Sequence, residues 1–168
     1  MKILIVSRYF WPYKTPESAI LFSLSSFLVS KGHSVDVLSS IPSDRKKNNE
    51  LKKTKINFNN GVKVIRINLS DEIGKIFFKR IINSIKLGIH TFVLSMRNKY
   101  DIVIASSNPP VVGPFSAALS SLINHSRFIY YCMDIAPEVG IINGDFKNPV
   151  LYKLCLLYTS DAADESRG

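Results

Sequence analysis

Asp134 and Glu138 stand four residues apart, directly after the apolar run Arg127–Cys132. A carboxylate in such a turn can take a proton from a hydroxyl within hydrogen-bond reach. Asp134 has a second reading, the capping or bracing of its own turn, and Glu138 either binds hydroxyls or is a surface charge. A second polar set follows the first apolar run, where KILIVS breaks into RYFWPYKTPES and supplies Arg8, Tyr9, Pro12, Glu17 and Ser18. Glu17 and Ser18 open a helical pattern, where free N–H groups can receive an anion. An acidic residue there also complements the helix dipole by itself. A third set, Ser106, Ser107, Asn108 and Pro109, follows the run Asp101–Ala105 in a turn marked by two prolines.

Other chemistries lack their residues. The first turn has no G-x-G-x-x-G and the chain has no G-x-x-x-x-G-K-[ST], which excludes a classical dinucleotide site and a P-loop. Cys132 and Cys155 form neither a metal motif nor a disulfide framework. Cys132, in an apolar run, reads as a buried inert thiol. His33, His90 and His125 fall at a helix end, on a basic helix and in a loop, outside the three turns. No metal site is expected.

The elements that must position these turns alternate strand and helix. Lys2–Ser7 is a short β-branched run, the profile of a strand buried on both faces. Glu17–Lys31 repeats apolar residues at helical spacing and stops at Gly32. Ser34–Ser39 is a second strand, and the short return to it requires a parallel pair. The polar, lysine-rich stretch from Pro42 to Asn60 reads as a surface loop. Gly61–Asn68 is the third strand. Glu72–Asn98 is a long helical pattern, with a break expected near Gly88. Its residues Ile73, Phe77, Ile81, Ile85, Ile89, Phe92 and Met96 line one face, while Lys75, Lys79, Lys86, His90 and Arg97 gather on another. That helix either turns its apolar face to the core, with a solvated back, or meets anionic lipid as a basic amphipathic helix. Asp101–Ala105, Val111–Ile123 and Arg127–Cys132 follow as strand, helix and strand. The expected fold is α/β, a doubly wound parallel sheet of Rossmann type in order 3-2-1-4-5, whose strands 1, 4 and 5 deliver the three turns to one cleft.

The chain has 168 residues with 46% hydrophobic content, enough for one ordinary globular core. Its 22 basic and 13 acidic residues give a net charge of +9, which suits an anionic partner. The absence of an RNA-binding aromatic signature, of zinc-finger spacing and of a basic heptad region argues against nucleic acid. No apolar stretch is long enough for a transmembrane helix, and the start MKILIVS reads as a core strand, not a signal peptide. A cytoplasmic location is expected, with peripheral contact at the inner membrane face if the basic helix meets lipid. Cys155–Glu165 (CLLYTSDAADE) back-translates onto a sequencing-library adapter read in frame. Residues 155–168 are therefore expected to be a non-native tail. Without its one basic and three acidic residues the charge of +9 becomes +11.

Residues 1–154 resemble the N-terminal half of GT-B fold glycosyltransferases of family 4. The opening MKILIVSRYFWPYKTPESAILFSLSSFLVSKGHSVDVLSS is similar to their first strand, proline-containing loop, helix and K-G-H-x-V-x-V-L element. YDIVIASSNPP resembles their fourth strand with its S-x-P-P turn. YYCMDIAPEVG resembles the D-x-W-P-E element of the branch that makes capsule, O-antigen and colanic-acid-type glycans. The resemblance implies two Rossmann-like halves, of which this is the acceptor-side one. It implies retaining sugar transfer without a metal or cofactor, a nucleotide-sugar co-substrate, and a glycan acceptor that is often lipid-linked. It assigns Asp134 to catalysis, and Arg8, Tyr9, Pro12, Glu17, Ser18, Ser106, Ser107, Asn108, Pro109 and Glu138 to the substrates. The donor-binding half would be absent, leaving this chain inactive alone. Three departures stand out: no glycine around Pro16–Ala19, Ala136 in place of the tryptophan, and Met133 where many relatives carry histidine. The alternative is a non-catalytic, flavodoxin-like module that binds a nucleotide or other ligand. A third is a regulatory protein using its basic helix on membranes.

Overall fold

The computed structural model of the chain describes residues 1–41, 55–69, 77–107 and 112–133. Six strands and three helices lie within them. The strands are β1 (Lys2–Val6), β2 (Ser34–Ser40), β3 (Lys55–Asn59), β4 (Val62–Ile67), β5 (Ile102–Ser106) and β6 (Arg127–Tyr131). The helices are α1 (Pro16–Ser30), α2 (Phe77–Asn98) and α3 (Val112–Asn124). One sheet holds all six strands in the order β3-β4-β2-β1-β5-β6. Five run parallel, and β3 pairs antiparallel with β4 at the edge.

The β-branched strands are buried on both faces, and alternation sorts their side chains between two cores. Ile3 and Ile5 join Val35, Val37, Val62, Val64 and Ile104 on the face covered by Leu21 of α1. Leu4 and Val6 join Leu38, Ile65, Ile67, Val103 and Ala105 on the other, against Leu87 of α2 and Ala117 of α3. Helices thus lie on both faces, and the sheet is doubly wound, as the sequence predicts.

Local chemistry sets the element ends. Thr15 caps α1, its Oγ1 accepting from the Ser18 N–H at 3.3 Å, with Pro16 in the first turn where its missing N–H costs nothing. The Gly32 N–H closes the other end on the Val29 carbonyl at 2.9 Å.

Four expectations are corrected. The stretch from Pro42 to Asn60 is not wholly loop, because Lys55–Asn59 forms β3. A hairpin turn at Asn60-Gly61, with φ of 49° and 79°, joins it to β4. Both central residues have positive φ, which Asn and Gly adopt at least cost. Secondly, α2 runs unbroken through Gly88. Thirdly, its apolar stripe is not its core face: Ile81, Ile82, Ile85, Ile89 and Val93 are exposed, whereas Asn83, Ser84, Leu87, Thr91 and Ser95 are buried. Small and polar residues allow close approach, and some of their polar groups find local acceptors, although Ser95 Oγ is buried with no hydrogen-bond partner. Thr91 Oγ1 donates to the Leu87 carbonyl at 2.8 Å, and Asn124 Nδ2 of α3 donates to the Ser95 carbonyl at 3.1 Å. At Gly88 a Cβ would lie 2.7 Å from Ser116 Oγ and 3.0 Å from Val112 Cγ1, so α3 abuts bare backbone there. Fourthly, Cys132 is exposed, not buried, since β6 presents most of its side chains outward.

Candidate functional site

The parallel register sets Val6 of β1 beside Ala105 of β5, and Ala105 beside Tyr130 of β6. The three chain segments that follow these strands therefore leave from one sheet edge. The winding reverses between β1 and β5, since α1 lies on one face and α2 and α3 on the other. In open α/β sheets this is the crevice that receives ligands.

The loop after β1 is pinned from below by polar groups at the ends of β2 and β4. The Ser7 N–H donates to the Leu38 carbonyl at 3.1 Å. The Arg8 carbonyl accepts from the Ser40 N–H at 3.1 Å, from Ser39 Oγ at 3.0 Å and from Ser40 Oγ at 2.7 Å. The buried guanidinium of Arg66 donates to the Ser40 carbonyl at 2.9 Å and to the Trp11 carbonyl. Tyr13 Oη donates to the Ile41 carbonyl at 3.0 Å and lies 3.0 Å from Ser40 Oγ. Burial pushes the Tyr13 phenol above its ordinary pKa, an effect that the hydrogen bond with Ser40 partly offsets.

Aromatic packing completes the loop. Phe10 is fully buried in the α1-side core. Trp11 stacks on Phe22 at 6.1 Å between centroids, and the Trp11–Pro12 peptide is cis. Arg8 lies over the Tyr9 ring at 5.3 Å, and Tyr9 meets Tyr13 edge-on at 5.0 Å. Arg8, Tyr9 and Pro12 are half-buried and Trp11 is exposed. They form a cationic and aromatic rim on a rigid base, a surface that can stack on a ring or meet an anionic group.

Glu17 and Ser18 are placed differently. Both are buried, at 8% and 1% exposure. Ser7 Oγ lies 2.7 Å from Glu17 Oε1 and 2.9 Å from the Tyr9 carbonyl. Its single proton can serve one of these acceptors at a time. Glu17 thus ties the end of β1 to the first turn of α1, the bracing function rather than the open anion seat.

Ser106 ends β5 and Ser107 follows it, and both are also buried. The Ser107 N–H donates to the Tyr131 carbonyl at 3.1 Å, and its Oγ accepts from the Met133 N–H at 3.2 Å. Ser107 therefore fixes the exit of β6, from which Asp134 follows directly. Asn108, Pro109, Asp134 and Glu138 themselves lie outside the described residues, as does the tail at 155–168. Among the described residues, no three His, Cys, Asp or Glu side chains gather to hold a metal ion.

Ser39, Ser40 and Arg66 are the supports that sequence reasoning missed. Their signal was slight: two serines closing an apolar strand, and one arginine interrupting another.

No protein-family model matches the chain, and no curated protein sequence matches it. Solved structures do. A C-terminal domain of the PF1911 hydrogenase from Pyrococcus furiosus superposes with a TM-score of 0.52 and 12% identity, over 77% of this chain and 90% of that one. The glycotransferase of kitacinnamycin superposes with a TM-score of 0.51 and 13% identity, over 78% of this chain and 30% of that one. At these identities the likeness is one of fold.

Proposed function

We propose that this chain is the acceptor-side half of a retaining glycosyltransferase. It would act in cell-surface polysaccharide assembly, moving a sugar from a nucleotide-sugar to a lipid-linked glycan. The observation that carries this reading is the shared edge of β1, β5 and β6 at the reversal of winding, with a braced cationic and aromatic rim on its first loop. The kitacinnamycin glycotransferase, a much longer chain, contains a part of similar fold, which supports the reading without deciding it.

In this account the bond from the anomeric carbon to the nucleotide diphosphate breaks. A bond to the acceptor oxygen forms, and the acceptor hydroxyl gives up its proton. Asp134 and Glu138 orient or activate that hydroxyl, while Arg8, Tyr9 and Pro12 flank the acceptor. Asn108 and Pro109, next in sequence after Ser107, are assigned to the substrates as well. Ser106, Ser107, Glu17 and Ser18 hold the strand ends in place, and Ser107 sets the point from which the Asp134 segment departs. The donor half must come from further sequence.

The test is transfer of labelled sugar from a panel of UDP- and GDP-sugars to lipid-diphosphate-linked saccharides. The catalyst is the gene product in which residues 1–154 continue into their genomic sequence. Transfer is expected there, with a loss of about 100-fold or more in kcat for Asp134→Asn. The 168-residue chain alone should be silent. Turnover by that chain alone would overturn the half-enzyme reading, and a gene that stops soon after Leu154 would overturn the proposal in favour of the ligand-binding module.

A further inference from the structure

The outward face of α2 and α3 has not been used by the site. On α2 the exposed residues Ile81, Ile82, Ile85, Ile89 and Val93 fall within one stripe, Ile89 being 57% exposed. Helix α3 repeats the arrangement. Its Gly113, Ala117, Ser120 and Ser121 are buried, whereas Phe115, Leu119, Leu122 and Ile123 are exposed, Phe115 at 66% and Leu122 at 75%. The two helices pack on each other and on the same face of the sheet. An ordinary surface helix does the reverse, turning its large aliphatic side chains to the core. Leaving so many of them in water forgoes burial that would otherwise stabilise the fold.

Charge says what would cover this face. Between Glu72 and Asp134 the chain carries seven lysines and arginines and a single acidic residue, Asp101. Neither α2 nor α3 contains an aspartate or glutamate. On the helical wheel of α2, Lys86, His90 and Arg97 flank the apolar stripe on one side, and all three are exposed. No helix among the described residues is long and apolar enough to cross a membrane. An apolar stripe with a cationic margin and no acidic residue fits the plane of a bilayer, with alkyl side chains in the acyl boundary and cations at the phosphates.

We propose that α2 and α3 form an interfacial docking surface for an anionic lipid bilayer. This rests on the inverted helices and their charge, and it stands or falls independently of sugar transfer.

The experiment is co-sedimentation of the whole 168-residue chain with vesicles of phosphatidylcholine alone or mixed with phosphatidylglycerol. The chain should pellet with the anionic vesicles, remain free with the neutral ones, and be released by 1 M salt, where the Debye length falls to about 3 Å. Lys86→Ala with Arg97→Ala should weaken binding roughly 25-fold, about fivefold for each charge. Ile85→Ser with Ile89→Ser should abolish it while circular dichroism stays unchanged, because these side chains are already exposed. Equal binding to neutral vesicles, no binding to either, or indifference to both variants would overturn the proposal. So would a chain that sediments as a dimer and becomes monomeric on Ile85→Ser with Ile89→Ser, since a second copy would then be the cover.

Discussion

Tyr100 and Asp36 form the most consequential polar pair outside the rim. Both are buried, and Tyr100 Oη donates to Asp36 Oδ2 at 2.6 Å. Burial, together with the neighbouring Asp36, raises the Tyr100 phenol well above its ordinary value near 10. Tyr13 is raised in the same direction, again chiefly by burial. Above pH 10 an unfolded tyrosine gives up its proton while these two keep theirs in the fold. The native state then binds more protons, so stability decreases as pH rises. The contribution is complete below about pH 10 and fades above it. Tyr100→Phe should cost about 2 kcal/mol at neutral pH, because the Asp36 carboxyl loses its donor. The same variant should flatten part of the alkaline decline. Urea unfolding at pH 7 and across pH 9–12 checks both, and an unchanged midpoint in this variant would refute the role given to the pair. Beneath the loop after β1, Glu17 shows how a residue type can be read correctly while its task is decided only by the fold. Its place at a helix start was legible, but only the 2.7 Å contact with Ser7 distinguishes a brace from an anion seat.

Among the elements, strands and helices were legible because period and composition agree. KILIV, SVDVLSS and VKVIRI carry the β-branched density of buried strands, and Gly32 marks the end of α1. The hairpin was missed although its signal was present. Asn60-Gly61 lies between KINFN and VKVIRI, the dipeptide most typical of a tight β-turn. Lysine-rich sequence just before it masked that pattern. The orientation of α2 was left between two readings for a different reason. A hydrophobic stripe says that one face seeks apolar surroundings, not that the protein's own core supplies them. Asn83, Ser84, Gly88, Thr91 and Ser95 could have signalled a close-packed opposite face. Gly88 is the sharpest probe of that packing. Gly88→Ala would ordinarily favour a helix, by about 1 kcal/mol. Here the new methyl meets Ser116 and Val112, an overpacking that costs about 1–3 kcal/mol, so a net loss of up to about 2 kcal/mol is expected by urea unfolding. A stabilised variant would show that α2 and α3 are not in close contact.

For the whole molecule, strand order followed from short connections and helices on both faces. The order anticipated for the parallel strands is the one observed, with β3 added at the edge. That order is what brings remote sequence segments to one sheet edge, and the fold as a whole resembles proteins as different as a hydrogenase domain and a glycotransferase. Fold alone therefore leaves the reaction open. The particular claim here is that the edge carrying Arg8, Tyr9, Ser106 and Ser107 receives a lipid-linked glycan. Backbone amide shifts of the isotope-labelled chain, followed while decyl-diphosphate-linked monosaccharides are added, test it most directly. The account predicts saturable shifts at Arg8, Tyr9, Trp11, Ser106, Ser107 and Met133, with Lys2, Asp101 and Arg127 at the opposite strand ends unmoved. Shifts centred on Lys2, Asp101 and Arg127, or none with any of the ligands, would contradict it.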